Sequence, residues 1–356
     1  MQPKCNASNW FLKTKKRGLK MGNEEIKVAF ETITPLYTGD AWQESKEIRP
    51  SSLIGSLRFW FEVYDKICKN GEIKLNTNGI PDEKLDYKKF KDKICELTKN
   101  NNFENFEQLQ DEALKSLNIS VSSRVFGCTG WKSRIKIKNI NYDQETLNKN
   151  NVNDKFPLNT RFWILKSLFG NKEEITIHKN ITFVILSSEF WFCDYLKNFL
   201  DFYSDKMMLF GGKKSFGFGF VKVSYETSLN CNILSNECNE FSKYYSYENI
   251  SLNLRDNKNV NQNDKENVIL GYNFRYFLRK EKINKVDNRT KFFGLQGKAS
   301  STYISNFLLN KDRDLKLIII KNPFDFDNES SQEEISEVAN KFKGWLEELS
   351  QIEDNK

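Results

Sequence analysis

The sequence predicts an α+β chain of two antiparallel-sheet units in tandem, the second degenerate, with a helical insertion in the first. Three observations predict it. Strand-like and helix-like stretches of the first half succeed one another in β-α-β-β-α-β order. A segment of that half, "RVFGCTGWKSRIKIKN" (124–139), is echoed by "KFFGLQGKASSTYISN" (291–306): Phe126, Gly127, Gly130, Ser133, Ile137 and Asn139 align with Phe293, Gly294, Gly297, Ser300, Ile304 and Asn306. A polar break, "DNKNVNQNDKEN" (256–267), separates the two stretches.

The elements follow in order. Residues 1–23 contain "KTKKRGLK" and a second Met, Met21, and read as a basic, flexible extension: a solvated tail or an upstream start rather than an RNA-touching arm. The first unit spans 24–228. In "IKVAFETIT", Ile26, Val28 and Phe30 alternate with polar residues, the pattern of a half-buried strand. After a turn-rich stretch, "SSLIGSLRFWFEVYDKIC" sets Leu53, Leu57, Trp60 or Phe61, Tyr64 and Ile67 at helical spacing, with Pro50, Ser51 and Ser52 as the helix start. Two amphipathic pieces near 84–98 and 104–117 form an inserted helical subdomain within about 70–120. "KSRIKIKNI" alternates again, Ile135 and Ile137 against Arg134, Lys136 and Lys138, a strand with a basic open face. Asn-rich residues 139–160 read as a loop. "ITFVILS" (181–187) is a buried strand, "EFWFCDYLKNFLDFYS" an aromatic helix, and "FGFVKVSYE" the last strand. This order is the ferredoxin-like (RRM-like, βαββαβ) arrangement, two helices on one sheet face and the other face free.

Residues 229–356 hold a connector and the second unit. "RYFL" (275–278) echoes "RFWF" (58–61), "LKLIIIK" (315–321) matches the buried strand, and a capped helix runs from about Ser331 to Ser350. This copy lacks a glycine loop and a final strand.

Composition narrows the function. The chain has 55 Lys and Arg against 48 Asp and Glu, a net charge of +7, so distribution matters more than the sum. Ser120–Tyr142 carries five basic residues and no acid, and Lys206–Tyr225 four Lys and no acid, whereas Phe324–Lys356 carries ten acids against three Lys. Basic stripes beside an acidic tail suit a protein that meets a polyanion on one face. The seven Cys show no CxxC pair, so zinc spacing is absent, and no cofactor motif occurs. No signal peptide or transmembrane stretch is visible, and a cytoplasmic protein with reduced thiols is expected. A single histidine, His178, excludes any two-histidine mechanism, and its place among strands reads as structural. Asp40 reads as a turn residue.

The candidate site is a set of phosphate-facing groups. In "GGKKSFGFGF" (211–220), Gly211, Gly212 and Gly217 can leave backbone N–H groups bare, Lys213 and Lys214 add charge, Ser215 a hydroxyl, and Phe216 a stacking ring. A strand follows rather than a helix, and no GxxxxGK[ST] is present, which disfavours a nucleotide triphosphatase. The same residues also make an ordinary tight helix-to-strand turn, and both readings stay open. Arg49 with Ser51 and Ser52 marks a helix start fit for a phosphate, although capping alone explains the serines. Arg58 is either an ion-pair partner or a reach toward the glycine loop. Arg124 and Trp131 flank Lys132, Arg134 and Lys136, the best nucleic-acid stripe, although edge strands also carry lysines to block pairing.

Taken together, "TPLYTGD", "EIRPSSLIGSLRFWFE", "RVFGCTG" and "GGKKSFGFGFVKV" resemble the RAMP superfamily of CRISPR proteins, and within it the first RAMP subunit of the type III-B (Cmr) effector complex. The resemblance covers about 24–226 well, and its specific part is the Arg-Pro-Ser-Ser-x-x-Gly-x-x-Arg block. It implies tandem RAMP domains and a non-catalytic subunit that holds the 3′ part of the CRISPR guide RNA. It also implies help in capturing target RNA for antiviral defence, beside other RAMP subunits. The alternative within the resemblance is a RAMP-type endoribonuclease on CRISPR or target RNA, with Asp40 in a comparable loop to the family's catalytic Asp.

Overall fold

A computed structural model of the protein describes residues 24–39, 45–69, 80–100, 105–153, 163–231, 245–252, 268–283, 302–308, 314–320 and 335–350, with a few isolated residues between them. The basic extension, Asp40, the start of the last helix near Ser331 and the middle of the echoed segment (294–301) lie outside the described residues.

The first unit is a five-stranded antiparallel sheet in the order β2-β4-β1-β6-β5. Its strands are β1 (Glu24–Thr32), β2 (Lys136–Asn148), β4 (Glu174–Ser187), β5 (Met207–Leu209) and β6 (Phe220–Glu226). β1 lies between β4 and β6, with Val28 opposite Phe183 on one side and Phe30 opposite Val223 on the other. Ile26, Val28 and Phe30 are fully buried, as their alternation predicts.

Helix α1 (Pro50–Lys69) and the aromatic helix α6 cover one face. α6 runs as Glu189–Trp191, a π segment Phe192–Leu196, and Lys197–Tyr203. Their rings interlock: Phe61 and Phe199 have centroids 5.5 Å apart, Trp60 and Tyr203 5.4 Å. The Trp60 indole also donates to the Leu209 carbonyl at 3.0 Å, tying the helix to β5. The insertion is α2 (Tyr87–Asn100) packed on α3 (Phe106–Ser116), with Phe90, Ile94, Leu109 and Ala113 buried. A short helix, α4 (Val121–Phe126), capped by the Ser120 hydroxyl, leads into β2, and another, α5 (Trp163–Phe169), precedes β4. Six residues are too few to show a period, so α4 leaves no helical pattern in the sequence.

Two expectations change here. The Asn-rich loop predicted from 139 is instead β2 as far as Asn148, an edge strand paired with β4 along its length. Its polar residues face solvent on both sides, so alternation is lost. β2 and β4 both bend where an asparagine takes positive φ, Asn139 at 49° and Asn180 at 49°. The thiols are not all reduced either: Cys68 pairs with Cys238 (Cα–Cα 4.9 Å) and Cys193 with Cys231 (5.3 Å), each fastening the connector to α1 or α6. Cys128 is free.

The second unit is a three-stranded antiparallel sheet, β7-β11-β9 (Tyr245–Ser251, Asp314–Ile320, Thr302–Ile304). Helices α7 (Gly271–Phe277) and α8 (Ile335–Glu347) pack with it around Phe274, Leu317, Phe342 and Leu346. A small third sheet joins the halves: β8 (Val268–Ile269) lies between β3 (Val152–Asn153) and β10 (Phe307–Leu308). No helix among the described residues is long and apolar enough to cross a membrane.

Candidate nucleic-acid interface

Among the described residues no helix covers the sheet face away from α1 and α6. Lys136 and Lys138 are exposed there while Ile135 and Ile137 point into the core, as the alternation predicts. The register extends the basic row, since Lys138 lies opposite Val184, and Val184 opposite exposed Lys27 on β1. Residues in register share a face, so Lys27 joins the stripe although sequence reading missed it. Only the pairing of strands far apart in sequence reveals that alignment.

Beside this row, Trp131 is buried and its indole N–H donates to the Arg124 carbonyl at 2.8 Å. The Arg134 guanidinium lies 3.7 Å above the Trp131 ring. Burial pulls the Arg134 pKa below its ordinary range, with Glu107 pulling the other way. Lys132 is exposed. Trp131 is therefore a platform for Arg134 rather than a ring open to a base.

Arg58 and Arg124 do not belong to the open surface. Arg58 is 5% exposed and is held by Glu62 at 3.1 Å, the Ser123 hydroxyl at 2.8 Å and the Gly127 carbonyl. It cannot reach the glycine loop. Arg124 is held by Asp111 at 2.6 Å, and the Tyr195 hydroxyl shares that carboxylate. Both are buried charges kept by a fixed partner, so a phosphate has no free donor fork to claim.

The glycine loop is a junction. Gly212 N–H donates to Tyr37 O, Gly219 N–H to Pro35 O, Gly217 N–H to Lys214 O and Phe216 N–H to Lys213 O. Those amides are spent inside the protein and do not form the bare-amide cradle expected from sequence. The second unit seats directly on the loop: Asn306 N–H donates to Gly217 O at 3.2 Å, and Arg275 to Ser215 O at 3.0 Å. Gly217, at φ 97°, would set a Cβ 2.3 Å from the Asn306 side chain and 2.7 Å from its backbone nitrogen. Phe216 is buried against Tyr272 and is not a stacking ring for a base. Gly211 is needed because a Cβ there would lie 2.5 Å from Tyr37 O.

The loop's lysines differ. Lys213 donates to Ser167 O at 2.8 Å. Lys214 lies over the Phe59 ring at 5.8 Å and has no hydrogen-bond or ion-pair partner among the described residues. Burial pushes its pKa down to about 8. Arg49, Ser51 and Ser52 are exposed at the start of α1, with Arg49 paired to Glu47 at 2.8 Å.

The predicted residues therefore form two patches. The α1 start and the glycine loop lie at the end of β4 marked by His178, which bridges Leu36, next to the bridge from Tyr37 to Gly212. The Lys132–Lys136 stripe lies at the other end, where Lys136 faces Leu186. Eight residues of strand separate His178 from Leu186, roughly 25 Å. His178 itself is fully buried, set 3.2 Å from the Ser45 hydroxyl, and burial lowers its pKa. That is the structural histidine the sequence predicts. Among the described residues no cluster of His, Cys, Asp and Glu is arranged to hold a metal.

A search of curated proteins returns no match. Among solved structures the chain is similar to one in a cryo-EM structure of the type III-B Cmr-beta complex bound to cognate target RNA. Identity is 10%, 63% of this chain and 68% of that chain are covered, and the TM-score is 0.22. The family model of the RAMP superfamily matches residues 29–222, which is more than half of these 356 residues and holds β1, α1, β2, β4, α6 and the glycine loop: the chain belongs to the RAMP superfamily.

Proposed function

We propose that this chain is an RNA-binding, non-catalytic subunit of a type III-B CRISPR (Cmr) effector ribonucleoprotein. In it the chain holds the 3′ part of the guide RNA and helps capture target RNA beside other RAMP subunits. The observation that carries the reading is the sheet face of a RAMP unit that bears Lys27, Lys136 and Lys138, with exposed Lys132 shortly before β2 and no helix over that face among the described residues. Side chains on alternate residues of a strand repeat every ~6.6 Å, a row that suits successive phosphates of an extended strand. The Arg-Pro-Ser-Ser-x-x-Gly-x-x-Arg block (Arg49–Arg58) supports the narrower type III-B assignment.

We infer also that the second unit is a ferredoxin-like copy without its last strand. Its sheet order β7-β11-β9 repeats the β1-β4-β2 portion of the first. The echoed arginines do the same work. Arg58 donates to the carbonyl of Gly127, and Arg275 to that of Phe293, one residue short of the aligned position.

The test is RNA binding by the full chain across a salt series. Lys132→Glu with Lys136→Glu and Lys138→Glu is expected to weaken binding at least tenfold and to flatten the salt dependence, since three phosphate contacts change sign. Labelled guide and target RNA stay intact throughout. Unchanged affinity in the triple variant, or RNA cleavage by the purified chain, sinks the reading.

A further inference from the structure

A cavity of about 230 Å³ opens at the stripe's end of the sheet, between the start of β2, the end of β4 and the start of α6. Lys132, Arg134 and Lys136 line it from one side, Ser188 and Trp191 from the other, and Glu107 is its carboxylate. Three buried donors on its lining residues have no acceptor among the described residues: the Trp191 indole N–H, the Arg134 Nε–H and the Ser188 hydroxyl. Trp191 is fully buried, and an indole N–H can only donate. Native structures rarely leave a buried donor unpaired, so such a group asks for a partner. Ser188 stands directly before α6, yet its hydroxyl caps no backbone amide.

We propose that this cavity seats one phosphate group of the bound RNA strand. The proposal deepens the RNA-binding reading and rests on it for the identity of the strand. Three cations, with the unspent Trp191 and Ser188 donors beside them, outnumber the one acid, which is the balance a multiply accepting anion needs. The cavity is smaller than the roughly 300–1,000 Å³ of small-molecule sites, so it admits a phosphate with a few waters rather than a whole nucleotide. Arg134 is held in place by its stack on Trp131, and Lys136 and Lys138 continue outward from the seat along β2. A strand anchored by one phosphate here would lie along the open face.

The experiment uses the full chain labelled with 5-fluorotryptophan, followed by fluorine NMR while inorganic phosphate is added at constant ionic strength. Trp191→Phe assigns the Trp191 signal. That signal is expected to shift saturably with phosphate. Ser188→Ala and Arg134→Gln are each expected to weaken phosphate binding and RNA binding about five- to tenfold, the size of a charge-assisted hydrogen bond. Far-ultraviolet circular dichroism and unfolding midpoints check that both variants fold. No saturable shift, or an equal response to acetate, overturns the seat. The acetate result would point to a protein carboxylate as the occupant. RNA binding lost in the Lys→Glu triple variant but intact in Ser188→Ala and Arg134→Gln also overturns the seat, while leaving the RNA-binding function standing. Phosphate saturation in a chain that binds no RNA overturns the assignment to an RNA strand.

Discussion

Burial decides which cations of this chain can meet a phosphate. Arg58, Arg124 and Arg275 are almost wholly covered, and each gives terminal N–H groups to a carboxylate, a hydroxyl or backbone carbonyls, although the Arg124 Nε–H finds no acceptor among the described residues. A buried guanidinium must be satisfied where it sits, so these residues hold elements together. Burial raises the pKa of Glu62, the partner of Arg58, against the opposite pull of its Ser122 and Arg58 contacts. Lys132, Lys136 and Lys138 keep their ammonium groups in water and remain available. Lys214 falls between the two cases. Its pKa, pulled down by burial from its ordinary value to about 8, lies below that of the unfolded chain. Between about pH 8 and the ordinary lysine range, the unfolded state therefore binds the proton more often than the folded state, and stability contributed at this residue rises with pH. Below pH 8 the buried charge weighs fully against folding. Lys214→Met is accordingly expected to raise the urea midpoint at pH 7, and the gain should shrink as pH is raised from 8 to 10. A gain constant across that range would mean that the ammonium is solvated after all.

At the scale of elements, the glycine loop is one of the places where the two units meet, beside the small third sheet and the side chains the cores share. Its backbone approaches Tyr37 on one side and Asn306 on the other at distances that no side chain permits. The second unit answers with Gly271, whose amide donates to the Asn306 side chain at 3.0 Å. Gly217→Ala is thus expected to destabilise the protein by about 2 kcal/mol or more, from the positive φ and the backbone clash together. The loss should appear in denaturant unfolding and as faster proteolysis in the connector. Gly55→Ala, which adds a Cβ in open space inside α1, is the control and should instead stabilise by about 0.5–1 kcal/mol. Much of this architecture was legible in the sequence. The strand at Ile26–Phe30, the helix from Pro50 and the inserted pair α2 and α3 follow hydrophobic period, and the strand at Ile181–Ser187 follows from a continuous apolar run. What stayed hidden has a common cause. The cavity donors Ser188 and Trp191 stand more than fifty positions from Lys132 and read locally as a helix start and a core ring. Only strand pairing brings them together. The loop's role was misread for a related reason, because glycines demanded by close packing and glycines that bare their amides look the same in sequence.

For the whole molecule, the question is what keeps two units and a long connector in one arrangement. The small sheet through β8, the Asn306 contact and the shared packing of Tyr245, Ile318 and Ile320 into the first core all act across the boundary. Tyr245 also donates to the Met207 carbonyl at 2.6 Å, binding β7 to β5 of the first unit. The disulfides Cys68–Cys238 and Cys193–Cys231 add a covalent restraint of a different kind. Cys68–Cys238 spans 170 residues, whereas Cys193–Cys231 spans 38. In the chain-entropy account, a cross-link acts on the unfolded state and its effect grows with the logarithm of the closed loop. The longer bridge should therefore stabilise by about 5 kcal/mol at most and the shorter by about 4 kcal/mol, with native geometry subtracting from each. Cys68→Ala is expected to lower the unfolding free energy of the oxidised chain by about 3–5 kcal/mol. The same substitution should change little once the chain is held under a phosphine reductant, because the bridge is then already open. Equal denaturant midpoints for the parent chain with and without reductant would show that Cys68 and Cys238 stay reduced. The connector would then be held to α1 by packing alone.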